Sequence, residues 1–286
     1  MGQIISTDRI IKADVFPMGI DYEEYSSYAR DWRVQREISK LREKLGNCKI
    51  ILSIDRMDYT KGIPQRLEAF SLFLERNPQY REKLILFLVV VPSRTRVERY
   101  AALKKQIDEL VGAINGKYGS IGFTPIQYVY RSLPFHSLIA LYNMADVALI
   151  TPLRDGMNLI SKEYIATKTD GKGVLILSEM AGAAKELGEA IIINVNNQEE
   201  IVDALEEALV MPEEEQIEHN RIMQKRLQHY NVKRWAEEFV DRLLYARKLQ
   251  QEMEPKALNH EAKAKLVSDF QKSNQRLLLL DYDGTL

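Results

Sequence analysis

The sequence predicts an α/β fold built on a doubly wound, Rossmann-like parallel sheet. Two observations indicate it: short, continuous apolar runs recur along the chain, and segments with helical spacing separate them. Continuous apolar strands are typical of a sheet that helices cover on both faces, and alternation of strands with helices is typical of parallel pairing. A chain of 286 residues is long enough to bury a sizeable core.

Six short aliphatic runs, each bounded by turn residues, predict the strands of this sheet. In chain order they are 49–54, 84–91, 126–130, 147–150, 174–178 and 190–193. The longest of them, Leu84 to Val91, is far too short to span a bilayer and therefore predicts a buried strand.

Segments with helical apolar spacing lie between these strands and continue after the last one. They are 64–76, 96–115, 135–144, 159–168, 181–187 and 198–209, followed by 213–229 and 232–252. The start of the helix near 213 is well marked, because Pro212 precedes an acidic first turn.

Changes in residue composition and apolar periodicity along the chain predict four segments. Residues 1–16 predict the end of a preceding domain or a linker, and residues 17–252 predict the Rossmann-like domain. The polar stretch 253–275 predicts a linker, and 276–286 predict the truncated start of a further domain. The opening MGQIIS fits the N-myristoylation pattern, but the strand-like residues after it favour a boundary inside a longer protein.

Composition excludes several classes of function. Lys and Arg total 40 against 41 Asp and Glu, so the net charge of −1 provides no basic field that would attract nucleic acid or an anionic membrane. A single cysteine, Cys48, rules out an internal disulfide and fits a reducing, cytoplasmic location. The four histidines lack metal-ligand spacing, so we expect no metal site.

The loop after the first predicted strand carries two cations, Arg56 and Lys61, followed by Gly62 and a helix start. Ligands of an open parallel sheet bind where loops leave the carboxyl ends of the strands. Cations beside a helix N-terminus suit a phosphate or diphosphate, because free N–H groups and the helix dipole add to their charge. The alternative is a solvated loop whose basic residues pair with Asp55 and Asp58.

The loop at 151–164 combines two acids with turn residues. Asp155 and Gly156 predict a turn, and Asn158 predicts a helix N-cap. Glu163 falls on the second turn of that helix. The carboxylates suit a polyol and a ribose diol, because the two oxygens of a carboxylate accept both hydrogens of vicinal hydroxyls. The alternative is a capped helix start with an exposed acid.

Three further places give weaker indications. Arg94 follows the strongest strand and can face the same cleft, although arginines at helix starts are common on surfaces. Phe135 lies at a strand exit, where its ring or backbone can meet a nucleobase; a core role is the alternative. In the final DYDGTL, Asp281 and Asp283 share one strand end, an arrangement that suits phosphate chemistry near a divalent metal.

These motifs together resemble trehalose-6-phosphate synthases, the enzymes of glycosyltransferase family 20. The resemblance covers residues 15–245 and rests on RMDYTKG, PSR, INGKYG, TPLRDGMNLISKEY and EMAGAAKEL. The ending DYDGTL resembles the first motif of a haloacid-dehalogenase-type trehalose-6-phosphate phosphatase. The parent protein therefore resembles the synthase–phosphatase fusions, in which Mg²⁺ serves only the phosphatase domain.

The resemblance implies a GT-B fold, in which two Rossmann-like domains face each other across a cleft and the C-terminal one holds the nucleotide sugar. It implies metal-free, retaining transfer of glucose from UDP-glucose to glucose 6-phosphate, without a side-chain nucleophile. The N-terminal domain carries most of the acceptor site in this family and is missing here, as is most of the phosphatase. We therefore expect weak donor binding and little or no turnover from this chain alone.

Carried over by position, the resemblance implies a role for each matching residue. Arg56 and Lys61 clamp the diphosphate of UDP and neutralise it as it departs, while Arg94 grips the phosphate of glucose 6-phosphate. Phe135 meets the uracil through its backbone, and Glu163 holds the ribose. The nucleotide and the donor glucose are lined by Leu159 and by Asp155, Gly156, Met157 and Asn158. We count Asp155 with Arg56 and Lys61 as the catalytic set.

Two other interpretations stay open at this point. One is another GT-B transferase, similar to glycogen synthase, which shares the basic pair and the late carboxylate but not the TPLRDGMNL string. The other is a non-catalytic regulatory domain that binds a nucleotide sugar. The choice between UDP-glucose and GDP-glucose also stays open. In the parent, the resemblance implies that Asp281 is the nucleophile of the phosphatase and that Asp283 assists it.

Overall fold

The computed structural model describes residues 2–6, 9–93, 98–253 and 260–277. The chain divides into two compact units, Met1–Glu238 and Phe239–Leu286. The first unit opens with an antiparallel hairpin of β1 (Gly2–Ser6) and β2 (Arg9–Ala13), which stands apart from the main sheet. No helix in the described part of the chain is both long and apolar enough to cross a membrane.

The main sheet contains six strands, and every pair in it is parallel. They are β3 (Lys49–Arg56), β4 (Leu84–Val91), β5 (Ile126–Val129), β6 (Val147–Ile150), β7 (Val174–Ser178) and β8 (Ile191–Ile193). Their spatial order is β5-β4-β3-β6-β7-β8, so the chain winds outward from β3 in one direction and then outward from β6 in the other. This is the doubly wound order of Rossmann-like domains, and it confirms the predicted fold class.

Eight helices precede, connect and follow these strands within the described residues of the first unit up to His229. They are α1 (Tyr22–Tyr28), α2 (Trp32–Leu45), α3 (Ile63–Arg76), α4 (Glu98–Tyr118), α5 (Phe135–Met144), α6 (Leu159–Thr167), α7 (Gln198–Val210) and α8 (Glu213–His229). Two further helices follow in the chain, α9 (Val232–Met253) and α10 (His260–Lys272).

Alternate residues of the central strand β3 divide the core into two layers. Ile51 joins an apolar cluster with α3, α4 and α7, whereas Ile50 and Leu52 join a second cluster with α1, α2, α5, α6 and α8. Successive side chains of a strand point to opposite faces, so the two clusters lie on opposite sides of the sheet. Both faces are therefore buried, as the continuous apolar strands predict.

Three parts of the chain differ from the sequence prediction. Helices α1 and α2 were not predicted, although their N-caps Asp21 and Asp31 each accept a backbone N–H bond. The predicted helix at 181–187 is wrong, since only a short 3₁₀ turn forms at Gly182–Lys185. At its start, the N–H groups of Gly182 and Ala183 donate to carbonyls of the 155–157 loop.

The domain boundaries stay a prediction. The compact first unit ends at Glu238, whereas the sequence places the end of the domain at residue 252. In the second unit, α10 occupies residues that the sequence assigns to a linker.

Candidate active site

The candidate site lies where the loops after β3 and β6 leave the sheet. These two strands are neighbours, but the strands that follow them in the chain lie on opposite sides of the pair. The strand order therefore reverses between them, and doubly wound sheets bind their ligands in the crevice outside the carboxyl ends of the strands at such a switch point. Arg56 ends β3 and Thr151 follows β6, so both predicted motifs begin at this crevice.

Backbone contacts join the two loops. The N–H of Leu153 donates to the carbonyl of Thr60 at 2.8 Å. Gly62 has a φ of +65°, and a Cβ on it would lie 2.5 Å from the carbonyl oxygen of Thr151. Glycine is needed here both for the left-handed backbone and for the close approach of the second loop. The two sequence motifs therefore form one surface.

Lys61 and Asp155 form an ion pair across this junction. The Nζ of Lys61 lies 2.5 Å from Oδ2 of Asp155, and the two side chains are only 12% and 15% exposed. Asp155 also accepts the Nδ2–H of Asn158 at 3.2 Å and the N–H of Met157 at 3.3 Å. Burial acts to raise the pKa of Asp155, but the hydrogen bond and charge of Lys61 outweigh it and hold that pKa below its ordinary value.

Arg56 is exposed at the end of β3, and the described residues offer its guanidinium neither a hydrogen bond nor an ion pair. Asp55 pairs instead with Arg66, and Asp58 accepts hydrogen bonds from Thr60. The alternative interpretation, in which Asp55 and Asp58 pair with the basic residues of the loop, is therefore wrong. Within the described part of the chain, the five N–H donors of Arg56 are therefore available to a ligand.

A buried arginine that the sequence analysis missed connects the elements that form the site. Arg66 lies on α3, and its partner Asp55 lies on β3; each side chain is only 1% exposed. The Nη1 of Arg66 donates to Oδ2 of Asp55 at 2.8 Å. The same guanidinium donates to the hydroxyl of Thr151 at 2.9 Å, to the carbonyl of Lys61 at 3.1 Å and to the hydroxyl of Ser53. One side chain therefore links β3, the Lys61 turn and the start of the β6 loop.

The helical periodicity of α3 predicts that this arginine is buried. Arg66 follows Ile63 by three residues and precedes Phe70 by four, so it occupies the apolar stripe of α3. A charge on a buried face is rare unless it is paired, so the position itself indicates a structural ion pair. Burial raises the pKa of Asp55, against the opposing charge and hydrogen bond of Arg66.

The turn after β6 adopts the predicted capped geometry. Asn158 is buried, has a φ of +66° and accepts the N–H of Ser161 at 3.0 Å, as the N-cap of α6. Asparagine tolerates this left-handed conformation better than most residues. Gly156 and Met157 are exposed on the turn, and Leu159 is half-buried against the core.

The loop after β7 supports that turn from the other side. The N–H of Asp155 donates to the carbonyl of Met180 at 3.2 Å, and the N–H of Gly182 donates to the carbonyl of Asp155 at 2.9 Å. A Cβ on Gly182 would lie 2.1 Å from the carbonyl oxygen of Gly156. The EMAGAAKEL motif therefore acts here as a backbone support for the 155–157 turn.

Glu163 and Phe135 form a second part of the site. Each oxygen of Glu163 accepts a hydrogen bond from a tyrosine hydroxyl, Tyr25 at 2.9 Å and Tyr142 at 2.8 Å. The ring of Tyr25 meets the ring of Phe135 edge-on, with 5.6 Å between their centroids, and Tyr28 packs on Phe135 at 4.9 Å. Tyr25 therefore connects the residue predicted to meet the base with the acid predicted to hold the ribose.

Three predicted residues, Arg94, Asp281 and Asp283, lie outside the described residues. The described residues contain no group of His, Cys, Asp and Glu that could hold a metal ion. The structure thus brings Lys61, Asp155, Met157 and Asn158 together, and it groups Glu163 with Phe135. The roles of all these residues toward a ligand stay predictions.

The sheet order and the joined loops at its switch point define a doubly wound, Rossmann-like α/β domain. Residues 2–245 match glycosyltransferase family 20, and the chain belongs to this family. The predicted family resemblance is therefore confirmed.

The relatives are trehalose-phosphate synthases. The bifunctional trehalose-6-phosphate synthase/phosphatase of Thermoproteus tenax is 50% identical over 289 residues, which cover 100% of this chain and 39% of the relative. The UDP-forming α,α-trehalose-phosphate synthase of Burkholderia xenovorans, solved in complex with glucose-6-phosphate, is 34% identical with a TM-score of 0.82. The match covers 85% of this chain and 54% of that one.

A second solved structure, from E. coli, is bound with UDP-2-fluoro glucose. It is 34% identical with a TM-score of 0.79, over 85% of this chain and 55% of that chain. This chain therefore spans 39% of the length of the Thermoproteus relative and little more than half of the solved chains.

Proposed function

We propose that this chain supplies the donor site of an α,α-trehalose-phosphate synthase (UDP-forming). The reaction transfers glucose from UDP-glucose to glucose 6-phosphate with retention, giving trehalose 6-phosphate and UDP. One observation carries the proposal: Asp155 contacts both Lys61 and Asn158 at the sheet's switch point, and the loop that carries Lys61 begins after the exposed Arg56. The ligands of the two related solved structures support the substrate assignment.

The cations would bind and then neutralise the diphosphate. Arg56 offers a planar fork of donors that matches two phosphate oxygens at once. Gly62 separates Lys61 from α3 and is the N-cap of that helix. No side chain of the described residues caps this helix start, so its free N–H groups add positive potential. As the bond from the anomeric carbon of glucose to the diphosphate oxygen breaks, negative charge grows on the leaving group. Donors already held in place stabilise that charge without reorganising.

The turn after β6 would bind the donor sugar. Asp155 uses Oδ2 for Lys61 and Asn158, whereas among the described residues Oδ1 accepts only the N–H of Met157. A carboxylate oxygen has two acceptor positions, so Oδ1 can still accept a hydrogen bond from a sugar hydroxyl. Asp155 would thus fix the glucose while its contact with Lys61 ties the sugar to the diphosphate.

The transfer itself needs no protein nucleophile in this proposal. The anomeric hydroxyl of glucose 6-phosphate attacks the anomeric carbon on the face from which UDP departs, and its proton passes to the departing phosphate oxygen. The new bond therefore forms with retention. Arg94 would grip the acceptor phosphate. Most of the acceptor site would come from the other half of the whole enzyme, so we expect little turnover from this chain.

The whole protein would join this domain to a phosphatase, as the bifunctional relative from Thermoproteus tenax does by name. A reducing, cytoplasmic location fits the single cysteine of the chain, Cys48.

Calorimetric titration of the chain with UDP, UDP-glucose and GDP-glucose tests the proposal. We expect saturable binding of UDP and UDP-glucose to a single site. A folded chain that binds neither ligand, or that binds GDP-glucose far more tightly than UDP-glucose, would contradict the UDP-dependent assignment.

A further inference from the structure

Two tyrosines from different helices hold the Glu163 carboxylate. Tyr25 lies on α1 and Tyr142 on α5, and both helices pack against α6, which carries Glu163. The hydroxyl of Tyr25 donates to Oε1 at 2.9 Å, and the hydroxyl of Tyr142 donates to Oε2 at 2.8 Å. With one donor on each oxygen, rotation of the carboxylate would break both hydrogen bonds, so its plane is fixed.

The two hydrogen bonds leave a defined acceptor capacity. An ionised carboxylate has four lone-pair positions, two on each oxygen. Each tyrosine occupies one position, so one position remains on Oε1 and one on Oε2. Two acceptors in one plane, one on each oxygen, match the two hydroxyl hydrogens of a vicinal diol.

Both tyrosines stay protonated and therefore remain donors. Tyr142 is 1% exposed, and burial, followed by the charge of Glu163, raises its pKa well above the ordinary value. Burial and then Glu163 also raise the pKa of Tyr25. Near neutral pH the hydroxyls have no ionised state that would repel the carboxylate.

Tyr25 has a second contact that Tyr142 lacks among the described residues. Its ring meets Phe135 edge-on, with 5.6 Å between centroids. Its position therefore depends on Phe135, the residue that the family resemblance predicts to meet the base through its backbone. A ligand that orders Phe135 also supports the ring whose hydroxyl orients Glu163.

We propose that Tyr25 and Tyr142 are positioning residues for ribose recognition: they hold the Glu163 carboxylate so that its remaining lone pairs meet the 2′- and 3′-hydroxyls of a uridine nucleotide. The inference rests on the proposed function, because it takes Glu163 as the acid that binds the ribose. Neither tyrosine touches the nucleotide in this arrangement. They affect nucleotide binding only because they hold Glu163 in place.

Titrations of the chain with UDP and with 2′,3′-dideoxy-UDP test the inference. Tyr25→Phe and Tyr142→Phe each remove one hydroxyl and keep the ring. Each should weaken UDP binding about threefold to tenfold, the effect of one lost hydrogen bond, because a freed carboxylate must be ordered by the ligand. Neither should change the affinity for dideoxy-UDP, which offers no diol. Tyr22→Phe, on the same helix as Tyr25, is the matched control and should change neither affinity.

A fourth variant tests whether the tyrosines act through Glu163. Glu163→Gln should weaken UDP binding, and adding Tyr25→Phe to it should cause no further loss. Equal weakening of UDP and dideoxy-UDP by both tyrosine variants would mean a general structural role and would overturn the inference. A second result would overturn the inference and leave the proposed function intact: Glu163→Gln binds UDP more weakly, but the folded variants Tyr25→Phe and Tyr142→Phe bind UDP as tightly as the wild type. A folded wild-type chain that fails to bind UDP would overturn both.

Discussion

The ammonium of Lys61 and the carboxylate of Asp155 lie 2.5 Å apart, although 94 positions separate them in the chain. This contact joins the loop predicted to bind a diphosphate to the turn predicted to bind a sugar. The contact also distinguishes the two cations, because Lys61 is already paired whereas Arg56 is exposed. In the proposed site, a diphosphate would meet Arg56 as an exposed cation and Lys61 as a cation that Asp155 already holds in place.

The stability of the domain should depend on the ionisation of Asp155. Its pKa in the folded chain lies below the ordinary carboxyl value, chiefly because Lys61 outweighs the effect of burial. Such a group stabilises the fold above its unfolded pKa of about 3.9, and that contribution is lost as the pH falls through the lower folded value. We expect the difference in melting temperature between wild type and Asp155→Asn to be largest near neutral pH. It should narrow below about pH 4, where the unfolded carboxyl takes up a proton. A difference that stays constant in melts across the acid range would contradict the ion pair.

Gly62→Ala should destabilise the domain and weaken nucleotide binding. The left-handed backbone at φ +65° costs a non-glycine residue about 1–2 kcal/mol, and the clash with the Thr151 carbonyl adds to it. Urea unfolding measures the loss. The matched control is Gly112→Ala, since Gly112 lies in α4 and a Cβ there would meet nothing within 4 Å. The control should gain about 0.5–1 kcal/mol, so equal effects of the two substitutions would contradict the close approach of the loops.

Arg66→Met should be strongly destabilising, because it leaves the buried carboxylate of Asp55 without its partner. Breaking one side of a buried ion pair costs about 3–5 kcal/mol. The double variant Arg66→Met with Asp55→Asn removes the stranded charge, so its free energy of unfolding should recover in part. Urea unfolding of the two variants and of the wild type measures this coupling. Additive losses in the double variant would show that the two side chains do not interact.

Donor binding should not need a divalent metal. In the proposed site, Arg56 and Lys61 would supply the positive charge that a metal gives the diphosphate in other transferases. We expect the same Kd for UDP with the chelator EDTA and without added metal. Binding that appears only when Mg²⁺ is added would contradict the cationic clamp.

The strands could be predicted almost residue by residue, because a buried parallel strand is a continuous apolar run with clear ends. The run at 84–91 is an example, since it coincides with β4. Helices α1 and α2 could not be found in this way. Helix α2 carries a different signal that the sequence analysis missed, an apolar stripe at helical spacing formed by Val34, Ile38, Leu41 and Leu45. In α1 the inward face is formed by Tyr22 and Ser26, so this short helix shows no such stripe.

The residue types of the site were predictable, but their contacts were not. Local sequence favoured the nearby acids Asp55 and Asp58 as partners for the basic loop, whereas Lys61 pairs with the distant Asp155. Tyr25 lies 138 positions from Glu163, and only the packing of α1 against α6 brings them together. Such pairs depend on how the loops and helices meet at the sheet edge, which residue types and spacing do not encode.

The most direct test of the proposed donor site is a calorimetric titration of UDP into the wild-type chain and into Arg56→Ala. Removal of the exposed guanidinium should weaken binding at least tenfold, or by about 1.4 kcal/mol or more. Arg221→Ala is the control, because Arg221 pairs only on the surface with Glu218 of its own helix, and its loss should leave the affinity unchanged. An unchanged affinity for UDP in a folded Arg56→Ala chain would contradict the account.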